Sequence, residues 1–291
     1  MKSFIRVWLG IGFVAIGLGI CLLIIAFISG ARWENTWEES SGNHAAFITM
    51  KENYEGVEKL DMDVDYGEVE FVKGNEFSIS AENILEGELK SYVENGTWYL
   101  REDESKTSNY FGINFPMRKL FFSWGDHFAP KITVTLPDEF VADKLSLKIG
   151  AGTLKAEELK ATEGEFKVGA GQMNIEKLSV SESSKYTVGT GEMVLQEVNV
   201  NNITVDSGVG HVQIEGTVNG DNNIKCGIGG VDLTLNGTIE EYEYDITCGI
   251  GHVDIDGRSY RNISEEVINN DSADNKLNLN CGIGQISVDF N

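Results

Sequence analysis

One nine-residue phrase returns seven times in the second half of this chain, and it limits what the chain can fold into. It reads KIGAGTLKA from Lys148, KVGAGQMNI from Lys167, TVGTGEMVL from Thr187 and DSGVGHVQI from Asp206. It goes on as KCGIGGVDL from Lys225, TCGIGHVDI from Thr247 and NCGIGQISV from Asn280. The fixed part is a Gly-x-Gly pair. Its first glycines are Gly150, Gly169, Gly189, Gly208, Gly227, Gly249 and Gly282. Its second glycines are Gly152, Gly171, Gly191, Gly210, Gly229, Gly251 and Gly284. Successive first glycines lie 19, 20, 19, 19, 22 and 33 residues apart. A period near twenty marks stacked structural repeats.

Around each pair the sequence alternates with period two, the signature of strands. Leu145, Leu147 and Ile149 precede the first pair on one face, and Leu154 and Ala156 follow it. Each repeat therefore predicts two short strands meeting at a glycine corner, followed by a polar turn. Glycine suits the corner because it accepts positive φ and permits close backbone approach. A single coil cannot bury its own apolar row, but stacking places equivalent side chains ~4.8 Å apart in ladders. The expected fold is all-β: a β-solenoid, that is, a single-chain parallel β-helix, over residues 138–291.

Val7 to Ile28 gives 22 residues without a charge, enough to cross a bilayer as a helix. Lys2 and Arg6 precede it, and Arg32 is followed by Glu34, Glu38 and Glu39. That asymmetry predicts a cytoplasmic N-terminus (1–6), one membrane span (7–28) and an exported body. Residues 29–56 read as a juxtamembrane connector, and 57–137 as an N-terminal β region. Within the latter, Tyr66-Gly67-Glu68 resembles a degenerate first repeat with one glycine missing.

The formal charge is −23, and residues 1–32 contain three bases and no acid. The remainder carries 20 bases against 46 acids, a surface that repels nucleic acid.

Two segments interrupt the repeats. Residues 101–130 form an aromatic insert holding Tyr110, Phe111, Phe115, Phe121, Phe122 and Trp124. The 33-residue step to Gly282 leaves a surplus of about 13 over one coil, in residues 256–275, with Arg258, Tyr260 and Arg261. Solenoid insertions emerge as loops that carry binding, so these nine residues are candidate partner contacts. The first expectation for the aromatic insert is that its rings cover the open end of the first coil, since solenoids need capping, and the alternative is an exposed patch for a partner. A strand ending at Asn291 would leave a parallel edge open to another chain, unless the 256–275 loop folds over it.

Residues able to do chemistry are scarce. Cys226, Cys248 and Cys281 share one repeat position, filled elsewhere by Ile149, Val168, Val188 and Ser207. Chain-order stacking would put the first two ~4.8 Å apart, yet side chains stacked in parallel seldom reach the disulfide torsion. A straight ladder also cannot converge on zinc. His211 and His252 would stand ~10 Å apart with Gly230 between them, too far to share a metal. No nucleophile elbow, phosphate loop or metalloprotease helix is present, so no catalytic, cofactor or metal residue is assigned.

The N-terminal span, the KITVTLP strand at Lys131–Pro137 and the serial Gly-x-Gly coils resemble the DUF4097 family. These are the bacterial adhesin-named β-strand-repeat proteins, also called toastrack domains. The resemblance implies a β-helical fold at the cell envelope, mostly in Gram-positive bacteria, and frequent association with envelope-stress systems. It supplies no catalytic residues. The chain departs from it in the three cysteines and the long final insertion. The expectation is a non-enzymatic, membrane-anchored interaction module contacting another envelope protein or itself through the solenoid end. The alternatives are a surface adhesin and a polysaccharide-acting β-helix enzyme.

Overall fold

The computed structural model describes residues 47–102, 109–110, 113–114, 129–268, 270 and 273–291. Among them the regular elements are strands, apart from one 3-10 turn at Ile239–Glu241. The expected span at 7–28 lies outside the described residues. Among those described, no helix is long and apolar enough to cross a membrane.

The first part holds β1 (Phe47–Tyr54), β2 (Lys59–Gly74), β3 (Phe77–Leu85), β4 (Leu89–Glu94) and β5 (Thr97–Glu102). A small hairpin, β6 (Asn109–Tyr110) and β7 (Ile113–Asn114), and then β8 (Lys131–Pro137) follow. The coils are built from β9 (Ala142–Val168), β10 (Gln172–Val188), β11 (Glu192–Asn201), β12 (Ile203–Ser207), β13 (His211–Asn219), β14 (Asp221–Cys226) and β15 (Gly230–Leu235). The last strands are β16 (Tyr242–Ile255), β17 (Arg258–Ile268), β18 (Asn275–Cys281) and β19 (Gln285–Phe290).

From β2 to β16 the coils pair in parallel, each on its spatial neighbour. Val69, Leu154, Met173, Met193, Val212, Val231, Ile286 and Val253 form one buried row, each opposite the next. Burying each such side chain is worth roughly 1.5–3 kcal/mol relative to exposure, so the row holds the stack along its length. β2 is the first rung with a glycine at its corner, with Gly67 opposite Gly152 and Tyr66 opposite Ala151, and β5 and β8 stack on its other side in parallel.

The coils from β9 to β13 have three short runs instead of the expected two, while the rungs of β15, β16 and β18–β19 keep two. In β11, Met193 and Leu195 are buried, then Val198 and Val200, and β12 buries Ile203, Val205 and Ser207. The direction changes at Glu197 and Asn202, whose φ values are 42° and 50°. Asn202 ties three coils together: its Nδ2 donates to Glu182 O at 2.9 Å, and its Oδ1 accepts from Asp221 N at 3.1 Å.

The glycine corners are explained by room, not by φ, which corrects half of the reason expected for them. Of the fourteen repeat glycines only Gly152 has a left-handed φ, 116°. The others, Gly191, Gly251 and Gly284 among them, hold a backbone that any residue adopts, and glycine is required there by close stacking alone. The second glycines form one column. A Cβ on Gly171 would lie 2.4 Å from Gly152 O, and one on Gly191 2.2 Å from Gly171 O. On Gly210 it would lie 2.3 Å from Gly191 O, and on Gly229 1.8 Å from Gly210 O. The column then passes to Gly284, 2.1 Å from Gly229 O, and ends at Gly251, 2.1 Å from Gly284 O. None of these positions accommodates a side chain without moving backbone.

Spatial order departs from chain order at the end of the stack, as that column already shows. β18 pairs with β14 on one side and β16 on the other, and β19 lies likewise between β15 and β16. The corner of Gly282 and Gly284 thus sits between that of Gly227 and Gly229 and that of Gly249 and Gly251. Ile283 N donates to Gly227 O at 2.8 Å, and Ile250 N to Gly282 O at 2.9 Å. Asparagines fix this insertion. Asn222, fully buried, donates to Lys276 O at 3.1 Å; Asn275 Oδ1 accepts from Gly220 N at 2.8 Å. The chain-order ladder expected from the sequence is corrected accordingly, because a repeat phrase identifies a rung and not its rank.

The surplus segment is not a loop. β17 runs antiparallel to β16 and covers the edge that β16 would otherwise present. β19 is flanked on both sides, so the final strand leaves no open parallel edge; residues 256–275 cap the stack as expected of them, but as a strand instead of a loop. At the other end, β2 is covered by the β4–β5 hairpin and by β8, β3 and β1, with antiparallel pairing in β4–β5, β8–β3 and β3–β1. Residues 47–54 of the expected connector are therefore strand β1, which uses Met50 and Tyr54 to pack on the core.

Candidate interaction surface

Cys226, Cys281 and Cys248 lie in successive rungs, in that order, as buried free thiols. Ser207 precedes them in the row and Ile263 of β17 follows. Burial raises the Cys226 thiol, and burial beside the other two pushes Cys281 up to about 12. Thiols held protonated in an apolar row are poor nucleophiles and poor ligands.

His211 pairs with Asp232 (Nε2–Oδ2 3.3 Å) and His252 with Asp254 (3.5 Å). Inserting β19 puts both Gly230 and Gln285 between the histidines, which makes the gap three rungs, about 14 Å. Among the described residues no three His, Cys, Asp or Glu are grouped to hold a metal ion.

Of the nine candidate contacts, Phe111, Phe115, Phe121, Phe122 and Trp124 lie outside the described residues. Tyr110 enters only through the backbone of β6. Arg258 and Arg261 are exposed on β17. Tyr260 is corrected: opposite Val253 and only 7% exposed, its ring closes the core over the last rung instead of facing solvent.

A surface the sequence reading missed lies along the glycine corner. The middle residues of the Gly-x-Gly motifs stack as Ala151, Ala170, Thr190, Val209, Ile228, Ile283 and Ile250, joined from Ala170 onward by N–H bonds to the preceding coil. The last four are 55%, 58%, 56% and 80% exposed. They are four of the seven large apolar residues exposed among those described. The signal is present in the sequence as the x of each motif, which changes from Ala and Thr in the first three copies to Val and Ile in the last four. At the opposite end, Tyr92 is 42% exposed and stacks on Tyr99 at 5.2 Å, with the Arg101 guanidinium 4.7 Å from the Tyr99 ring centre.

A "putative adhesin" of Bacteroides fragilis is 13% identical, covers 84% of this chain and 98% of its own, and superposes with a TM-score of 0.44. For a "putative cell adhesion protein" of Clostridium sporogenes the values are 18%, 84%, 100% and 0.34. For a "putative lipid binding protein" of Parabacteroides distasonis they are 12%, 83%, 96% and 0.34. No conclusion about binding follows from likenesses at that level. No curated protein matches in sequence. The profile described as Toastrack DUF4097 matches residues 57–280, from the start of β2 into the last inserted coil. The chain belongs to the toastrack DUF4097 family.

Proposed function

We propose that this protein is a non-enzymatic interaction module of the bacterial envelope, held outside the cytoplasmic membrane by a single span at residues 7–28. The observation that carries the reading is the apolar ridge Val209–Ile228–Ile283–Ile250, set on a stiff stack whose other faces are rich in charge. The largest contiguous apolar patch exposed on a monomeric protein is often an interaction site. The uncharged stretch Val7–Ile28 and the basic residues before it support the anchor and its orientation.

The aromatic insert, with Tyr110, Phe111, Phe115, Phe121, Phe122 and Trp124, and the exposed Arg258 and Arg261 are proposed as further contacts. A role beside envelope-stress systems rests on the family resemblance. The test combines topology with capture. Protease added outside intact spheroplasts is expected to digest the body and spare an N-terminal stub. A photo-crosslinker replacing Ile250 is expected to trap a protein partner that one replacing Val141, exposed elsewhere, does not. Full protection from protease, or equal trapping at both positions, contradicts the reading.

A further inference from the structure

The ridge has a spacing, and the spacing selects a partner. Its four side chains project from successive parallel rungs, so they repeat every ~4.8 Å over about 15 Å. A row of β-branched knobs at strand spacing interdigitates well with another row at the same spacing, as in dry zippers between stacked strands. A globular surface of irregular relief matches at most one or two of the four knobs.

Charge narrows the choice further. On a chain of net charge −23, a cationic partner has better places to bind than this ridge. The rows beside it are nearly neutral: Asp206, Lys225, Asn280 and Thr247 on one side, His211, Gly230, Gln285 and His252 on the other. A copy of the same acidic protein can approach here without the repulsion it meets on other faces.

We propose that the ridge is the seam of a two-fold pairing between two copies of this chain. This rests on the ridge being a contact surface, and it names the partner. With the two ridges antiparallel, Val209 faces Ile250 of the other copy and Ile228 faces its Ile283. Asp206 then faces Thr247 and Lys225 faces Asn280 on one flank, and His211 faces His252 and Gly230 faces Gln285 on the other, so no two carboxylates and no two Lys or Arg meet in these rows. An isologous seam of this kind closes at two copies. A ridge one residue wide covers less than the roughly 800 Å² per partner of a standard stable interface. The pairing is therefore weak in dilute solution and depends on high local concentration, such as two-dimensional confinement on a membrane.

The test uses the full chain expressed in its membrane, with a photo-reactive amino acid at Ile228, at Ile283 or at Val141. The expected result is a homodimer band from the first two probes and none from Val141. Mass spectrometry should join residue 228 of one copy to the 283 corner of the other. Adding Ile250→Asp should lower the dimer yield at least tenfold, and Ile250→Ser, milder for folding, severalfold, with unchanged strand content by circular dichroism. Crosslinks from 228 and 283 only to a different protein refute the second copy while leaving the ridge a contact surface. No crosslink from either probe refutes both.

Discussion

Cys281 stands opposite Cys226 in parallel register, with Cys248 on its other side, although it follows both in the chain. The final coil is thus an internal rung. In the folded chain β16 and β17 skip the place beside β14 and β15, and β18 and β19 fill it. Removing residues 275–291 therefore does not simply shorten the stack. It strips pairing from β14, β15 and β16 together, and the expected result is loss of amide exchange protection across 221–268. Protection lost only near the truncation would mean that the coils stack in chain order.

The glycine columns make a graded prediction. Gly229→Ala drives a methyl to 1.8 Å from Gly210 O and should cost more than about 3 kcal/mol, or prevent folding. Gly208→Ala meets its nearest atom, Gly189 O, at 3.1 Å and should cost distinctly less. Urea midpoints for the two variants check the order.

Tyr260 and its neighbours on β17 separate a structural residue from exposed ones. Tyr260→Ala empties the cover of the last rung and should cost about 3 kcal/mol or more. Arg258→Ala and Arg261→Ala should each stay within about 0.5 kcal/mol. Thermal unfolding of the three variants gives the comparison.

Alkaline stability follows from the buried weak acids. Burial raises Cys281 from 9.0 to about 12, and Tyr242 and Tyr54 from 10.0 to about 12. Between those limits the unfolded chain gives up protons that the folded chain retains, so stability is full below pH 9 and falls from there toward pH 12. Cys281→Val matches the side chain at the same position in other coils. It should leave neutral-pH stability within about 1.5 kcal/mol and reduce the alkaline loss. Denaturant midpoints at pH 7, 9 and 10.5 test this.

The sequence made some of this structure legible and hid the rest for physical reasons. Alternation around Gly150 or Gly189 announces a strand on each side, because a half-buried strand must alternate. The rank of Cys281 was hidden because equivalent rungs share one pattern, and the asparagines that choose between them, Asn222 and Asn275, resemble any turn residue. The same ambiguity hid that Gly284 stacks between Gly229 and Gly251, since all three pairs read alike along the chain. β17 was hidden because bulges opposite Cys248 break its period, leaving Tyr260, Ile263 and Ile268 as its core-facing residues at uneven spacing. The ridge was hidden because solvent exposure of Ile228 or Ile250 is a property of the corner, not of the residue.

The most direct test of the rung order is pairwise nitroxide labelling of Ile228, Ile250 and Ile283, read by dipolar broadening at low temperature. Strong coupling is predicted for 228 with 283 and for 283 with 250, whose backbones lie ~4.8 Å apart, and weaker coupling for 228 with 250, at about twice that distance. If 228 couples most strongly with 250 and weakly with 283, the inserted coil, and the ridge as ordered above, are wrong.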